Sequence, residues 1–566
     1  MKEIHVSSVG NNITGNGSID NPFKTIQYAL SYVEKGTILL IHEGVYSPFV
    51  INSNCSGTKE EPVVIKPYEN DKVVIQGIWD EESITVHVVN AENITLEGLE
   101  VIGGGLGIYV ISDRSIGNKT LENITISNCL VHGVRGMHGI AVYAWNDLAP
   151  IKNLVMKNCE VYDCRLDSSE STVINGNIDG FDIYGNKVHD NNNIGIDMIG
   201  FEGKALHDES YPGNKYDVDF VRNGKCHHNF VYNISSLDNE AYYENPLASQ
   251  KDTTGEYNLC ANGIYVDGAQ DIDIYDNFVY NCDIGFEVAT EHSPLDNELF
   301  KVSGVNVYNN VIADCSDYTG LAFGGYDYNL GYTENCNFYN NTFIDGNMAF
   351  EMQRSRNNNV HHNLIVGCNL GIDYNNMIHE EDLVNSIENN IFCTDKPFEE
   401  FFDAKNYNLN KLLSKDKQLF VNNRNEVIEN YLSKKEGYGA NYQLKKADVE
   451  NYEKYHNDGR IMIEKIMKYL EEKYKNGLTI THYENVCDYI NSDLISAGFK
   501  NTKVELIKYE GNKEIVNCDR NENNGKINSN KLKENNNIVA EFDIFYCYDE
   551  NSYAHRWLRK ISINIK

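Results

Sequence analysis

Seven short strings in this chain share one grammar. YGNKVHD (184–190), HHNFVYN (227–233), YDNFVYN (275–281), YNNVIAD (308–314), YNNTFID (339–345), HHNLIVG (361–367) and ENNIFCT (388–394) each place an Asn before an apolar alternation that ends in a turn residue. The shared residues are Asn186, Asn229, Asn277, Asn310, Asn341, Asn363 and Asn390. The shortest interval, from Asn341 to Asn363, is 22 residues, and longer intervals imply loops inserted into single turns. A short period holding several strands marks a β-solenoid, because one coil cannot bury its apolar face alone and must stack on its neighbours. The fixed Asn is expected to take the left-handed conformation at its turn and to pair its amide with the Asn above and below. Cys129 and Cys159 occupy the same slot earlier in the chain.

A second column follows a glycine or its equivalent: GIYVI (107–111), GIAVY (139–143), GIDMI (195–199), GIYVD (263–267), GFEVA (285–289), GLAFG (320–324), AFEMQ (349–353) and GIDYN (371–375). Strand side chains alternate, so the apolar second and fourth positions point inward and the third and fifth point outward. The outward set is Tyr109, Ala141, Asp197, Tyr265, Glu287, Ala322, Glu351 and Asp373, with Tyr143, Asp267 and Gln353 two residues on.

Composition agrees with stacked short strands and tight turns. Of 566 residues, 43 are Gly, 9 are Pro and 38 are Tyr. Fourteen Cys recur in contexts such as Asn128-Cys129, Asn158-Cys159 and Asn281-Cys282 without a CxxC pair. Buried free thiols are expected rather than disulfides or thiolate zinc. The net charge of −34 excludes a phosphate-backbone binder and an anionic membrane surface as default partners. No apolar run approaches a membrane span. Met1-Lys2-Glu3-Ile4-His5-Val6 enters a strand-like pattern with no apolar leader region. A cytoplasmic location is therefore expected, or a secreted one if a leader has been removed.

Three regions are expected: a β-helix over 1–395, an irregular linking segment over 396–445 and a small α+β domain over 446–566. Asn21 and Pro22 read as the cap and first position of a short helix running to Leu30, which would cover the solenoid's open end. Ile461, Ile463, Ile466, Met467 and Leu470 recur at helix intervals within 447–473. A second helix is expected from Tyr483 to Ala497, and strands over 502–509 and 538–546.

GNNITGNGSIDNPFKTIQYAL followed by GTILLIHEGVYSPFVI resembles the opening of right-handed parallel β-helix proteins of the pectate-lyase-like class. The resemblance runs to about residue 395. It implies a right-handed parallel β-helix and a carbohydrate substrate. GIYVDGAQDIDIYDNFVYNCDIGFEVATEH (263–292) is similar to the catalytic stretch of the β-helix β-xylosidase family. That similarity implies Asp267 as nucleophile, Glu287 as acid/base and a retaining glycosidase, with His292 following. The coil here is shorter, and Gly268 stands where that family has an aromatic residue.

The residues themselves point the same way. Asp267 and Glu287 lie 20 residues apart, diagonal on one face. Diagonal sheet neighbours have Cα atoms about 7–8 Å apart, a range suited to the two carboxyl groups of glycoside hydrolysis. Asp197 lies on the same face and would tune the pair or hold a hydroxyl. Tyr265 flanks Asp267 on the outward side, Tyr143 and Trp145 are candidates for packing on a sugar face, His138, His207 and His292 for hydroxyl contacts, and Tyr265 and the loop residue Glu291 join them as substrate-binding candidates. The segments 201–216, 234–260 and 291–301 would wall the site. Hydrolysis needs no cofactor. The alternative is a Ca²⁺-dependent polysaccharide lyase, with Asp197, Glu202 and Glu287 as oxygen ligands and Lys204, Arg354 or Arg356 as base. A third reading is a non-catalytic glycan-binding solenoid. Oligomeric state leaves no mark in the sequence.

Overall fold

A computed structural model describes residues 2–78, 80–236, 239, 259–315, 318–325, 331–374, 385–393, 407–408, 439–441, 444–479, 486–511, 514–517, 538–547 and 556–565. The chain divides into two compact units, Met1–Ser236 with Cys260–Gln443, and Leu237–Leu259 with Leu444–Lys566. Most of the expected linking segment 396–445 lies outside the described residues.

In the first unit three long sheets of 16, 11 and 13 strands run side by side, with parallel pairing throughout. The chain visits the sheets in turn, one strand in each per coil, which is a parallel β-helix. Its interior is one continuous apolar stack from Ile4 to Phe392. Glycines opening the outward strands are dictated by close packing of successive coils. A Cβ at Gly195 would stand 2.5 Å from the Gly263 carbonyl oxygen, and one at Gly263 2.7 Å from that of Gly285.

The Asn slot forms an unbroken buried ladder. The Oδ1 of Asn229 accepts both the backbone N–H and the side-chain amide of Asn186, each at 3.0 Å. The same double bond links Asn229 to Asn277, Asn277 to Asn310, Asn310 to Asn341, Asn341 to Asn363 and Asn363 to Asn390. Cys159 joins below, its N–H donating to Asn186 Oδ1 at 2.9 Å. The left-handed residue is not the ladder Asn, as the sequence suggests, but the one before it: Gly185, His228, Asp276, Asn309, Asn340, His362 and Asn389 have φ of 53–66°. That residue makes the turn, and the next one can then direct its amide inward along the stack. All eleven described cysteines are free, ten of them buried.

The N-terminal helix begins later than expected. It spans Ile26–Leu30, and the Thr25 hydroxyl, not Asn21, caps it by accepting the Tyr28 N–H at 3.3 Å. Residues 21–24 stay extended because Asn21 bridges Ser18, Phe23 bridges Val6 and Asn12 Oδ1 takes the N–H groups of Lys24 and Thr25.

The second unit has helices Lys446–Tyr474 and Val486–Ser496 and a four-stranded antiparallel sheet. Ile463, Ile466, Leu470 and Tyr474 pack with Ile490, Leu494, Phe542 and Ile563. Ile461, expected on that stripe, is exposed, because the helix turns its 463–466–470–474 face to the sheet. Among the described residues, no helix is long and apolar enough to cross a membrane.

Candidate active site

The 11-stranded sheet carries the outward column. Its register stacks His87, Tyr109, Ala141, Val173, Asp197, Tyr265, Glu287, Ala322, Glu351 and Asp373, one per coil. The column changes character along its length. Ala141, Tyr143, Val173 and Ile199 form an apolar patch at one end, and carboxylates occupy the other. Asp267 stands opposite Ala289 while Glu287 stands opposite Tyr265, so the two acids are diagonal. Gly268, directly after Asp267, has φ of +75°, and a Cβ there would meet the Phe201 ring at 2.9 Å and the Gly200 carbonyl oxygen at 3.0 Å. Backbone approach thus leaves no room for an aromatic side chain at this position.

The acids are buried and crowded. Asp197 is 1% exposed and Asp267 5%. Desolvation raises Asp197 well above the usual carboxylate range, reinforced by Glu170, Asp267, Glu202 and Glu291. Desolvation likewise raises Asp267, with Glu291 and Glu202 adding to it. Two donors oppose that rise: the Glu291 N–H, 3.2 Å from Asp267 Oδ1, and the Thr290 hydroxyl. Glu287 is pushed up to about 8 by burial, then by Glu351 and Glu291, against a hydrogen bond from the Asn262 amide. Glu170 is also pushed to about 8, by burial and then by Glu202. The strongest charge neighbours of Asp267 are therefore Glu291 and Glu202, and those of Glu287 are Glu351 and Glu291. Glu291 links the two groups, and Tyr265 lies between them. Burial raises the Tyr265 phenol strongly, with both acids contributing.

Loops bring the rim residues in. The Asp219 carboxylate accepts the N–H groups of Gly203 at 2.7 Å and Ala205 at 2.6 Å, which fixes the turn bearing Glu202 and Lys204. Phe201, Glu202, Gly203, Lys204, Tyr216 and His292 line a depression of about 390 Å³. Lys204 Nζ is 3.6 Å from Glu202 Oε2 and lies over the rings of Tyr143 and Trp145 at 5.7 and 5.6 Å. Trp145 is 44% exposed, whereas Tyr143 and Tyr265 are buried. Both His138 nitrogens are engaged, Nε2 with the Tyr143 hydroxyl and Nδ1 with the Glu170 carbonyl, each at 3.1 Å. His207 is held by Asp147 at 2.9 Å and Asp217 at 2.8 Å. Glu202 and Glu291 are exposed. Segment 240–258, expected as a wall, lies outside the described residues.

The proposed calcium ligands fail a fit test. Among the described residues, no three His, Cys, Asp or Glu side chains, Asp197, Glu202 and Glu287 included, converge as a metal-binding group.

Four participants escape the sequence pattern. Asn175 shares the second outward column with Tyr143, but its strand Thr172–Gly176 does not open with the glycine that marks the others. Asn262 precedes the marker Gly263. Glu170 sits in a connection, and Tyr318, just before its strand, donates to Glu351 Oε1 at 2.7 Å. A count of residues back from each coil's glycine would have found Asn262; nothing local marks Glu170.

Sequence comparison places the chain among known proteins. A model of the Pel9A-like right-handed β-helix region matches residues 4–200. The uncharacterized protein YwoF of Bacillus subtilis (strain 168) is 31% identical over 403 residues, covering 66% of this chain and 77% of that protein. The chain belongs to the YwoF family. Its first unit is a right-handed parallel β-helix of the pectate-lyase-like kind. Pectate lyase PEL9 of Emericella nidulans is 26% identical over 194 residues, 31% of this chain and 46% of that protein. The crystal structure of GH136 lacto-N-biosidase from Eubacterium ramulus is similar over 68% of each chain, with 16% identity and a TM-score of 0.43.

Proposed function

We propose that this YwoF-family protein is a glycoside hydrolase working at the outward face of its β-helix. One observation carries the reading: Glu287, held protonated to about pH 8, stands one rung from and diagonal to Asp267, whose carboxylate is served by two donors. A close pair of buried carboxyls shares its protons, one protonated and one ionised, which is what glycoside hydrolysis requires. Glu287 donates its proton to the leaving glycosidic oxygen as that bond breaks. Asp267 attacks the anomeric carbon, its charge favoured by the Glu291 N–H and the Thr290 hydroxyl. Glu287, now ionised, takes a proton from water, which displaces Asp267 and regenerates both groups. Trp145 offers an exposed ring for the apolar side of a sugar, and Lys204, Glu202 and His292 meet its hydroxyls.

A polysaccharide lyase is the second reading. It is favoured by Lys204, a base candidate that the loop carries into the depression, and by the pectate lyase among the relatives. Against it, no set of three or more acidic, His or Cys side chains converges as a metal-binding group among the described residues. The test is a panel of aryl glycosides, neutral oligosaccharides and polyuronates, with and without EDTA, followed for reducing sugar and for ultraviolet absorbance of unsaturated uronate. Hydrolysis predicts reducing sugar without unsaturation, indifferent to EDTA. Unsaturated product lost with EDTA contradicts it and supports the lyase. No product from any glycan leaves a binding solenoid.

A further inference from the structure

Between Asn175 and Gln353 the side-chain amides of the outward face leave their oxygens open. Asn175 Nδ2 donates to Glu202 Oε2 at 2.8 Å and Gln353 Nε2 to Glu351 Oε2 at 2.9 Å. Asn262 lies beside Glu287 and eases the rise of its carboxyl. A carboxylate accepts and cannot donate when ionised, so each amide must turn its nitrogen to the acid and its oxygen elsewhere. Those oxygens, Asn175 Oδ1, Asn262 Oδ1 and Gln353 Oε1, are buried and have no partner, and Asp197 Oδ1 shares that state. The four residues are 0%, 3%, 3% and 1% exposed. The three amide oxygens can only accept, and Asp197 Oδ1 joins them when its carboxyl is ionised. Leaving a buried acceptor unpaired is costly.

Charge runs the same way. Glu170, Asp197, Glu202, Asp267, Glu287, Glu291, Glu351 and Asp373 interact with one another along this face. Lys204, the cation placed among them, is already paired with Glu202. From the strand of Asn175 to that of Glu351 is five strand spacings, about 24 Å of groove. A uronate would bring further negative charge and further acceptors, wrong on both counts. Neutral hydroxyls would meet the acceptors but leave the charge. An ammonium group brings three N–H donors, no acceptor and a positive charge.

We propose that the groove takes an amino-sugar glycan with free, non-acetylated amines, one ammonium group seated against Asp197 and Asp267. This substrate class rests on the glycosidase reading of the same face. Binding favours the ionised carboxylates, so it drives protons off them.

Calorimetric titration of the full chain with three tetramers tests this: glucosamine, N-acetylglucosamine and galacturonate, at neutral pH, with product formation followed in parallel. The expected result is at least tenfold tighter binding of the glucosamine tetramer, falling as salt is raised. Its apparent enthalpy should change with the buffer's ionisation enthalpy, which reads proton release. Asp197→Asn should erase the preference with the melting temperature retained. Glu202→Gln, at an exposed position that folding tolerates, should weaken it several-fold. Equal or tighter binding of the acetylated or galacturonate tetramer, or no binding at all, overturns the inference. Amine preference without any hydrolysis overturns the hydrolase and keeps the ligand class; hydrolysis without amine preference does the reverse.

Discussion

Two buried polar columns run along this β-helix, and they differ in how they are satisfied. In the Asn ladder each amide oxygen from Asn229 to Asn390 takes two donors from the coil beside it, and each amide nitrogen finds a carbonyl. Asn277, for example, donates to the Cys226 carbonyl at 3.0 Å while its Oδ1 serves Asn229. On the outward face, acids crowd one another and four acceptor oxygens stay open. Both columns repeat at the same strand spacing, so geometry does not separate them. Satisfaction does: a self-paired column is architecture, and an unpaired one is where we propose that a ligand binds.

Substitutions should break this contrast in opposite senses. The largest effect is expected at the pair. Asp267→Asn and Glu287→Gln should each lower turnover by about 10²–10⁴-fold, with melting temperature equal to or above wild type because a buried, crowded acid is replaced by its neutral isostere. Initial rates and thermal unfolding on the same preparations check this. Next comes Asn277→Ala, which should keep the site but destabilise the protein by about 2–4 kcal/mol, since the Asn229 N–H and amide lose their acceptor in a dry interior. Urea unfolding measures it.

A pH effect of intermediate size should follow. Glu287 and Glu170 are protonated in the fold up to about 8 but titrate near 4.5 when unfolded. The native state then holds more protons than the unfolded state, so stability falls as pH rises through this range. His138, lowered to about 4 by burial, works the other way only below pH 6.5. Between about pH 6.5 and 8 the melting temperature should decline, and Glu287→Gln should flatten the decline. The smallest effect is expected at Asn359, whose amide reaches Asn337 Oδ1 at 2.8 Å on an exposed ladder. Asn359→Ala should shift stability by less than about 0.5 kcal/mol, because water replaces the lost bond.

Much of this was legible in the sequence because a coil repeats. Glycine followed by alternation gave the register that aligns Asp197, Tyr265, Glu287, Glu351 and Asp373. The ladder asparagines were equally plain, yet the left-handed residue was misplaced by one. Pairs such as Asn309-Asn310 and His228-Asn229 hold two polar residues where only geometry tells turn from rung. The helix starts later than the Asn21-Pro22 pair suggests because Thr25, not Asn21, takes the Tyr28 N–H. Strand alternation shows which acids share a face. It does not show which acids a loop turns toward them, so the roles of Glu202 and Glu291 in coupling Asp197, Asp267 and Glu287 needed three dimensions. Asn175, in a strand without the glycine marker, was hidden for the same reason that the repeat was readable elsewhere.

The most direct test compares the glycan panel and thermal unfolding for wild type and Glu287→Gln. A variant that melts at or above the wild-type temperature, has a shallower pH dependence above 6.5 and releases no sugar is the predicted result. A variant that melts lower while releasing sugar at the wild-type rate would place Glu287 in the architecture and contradict the account.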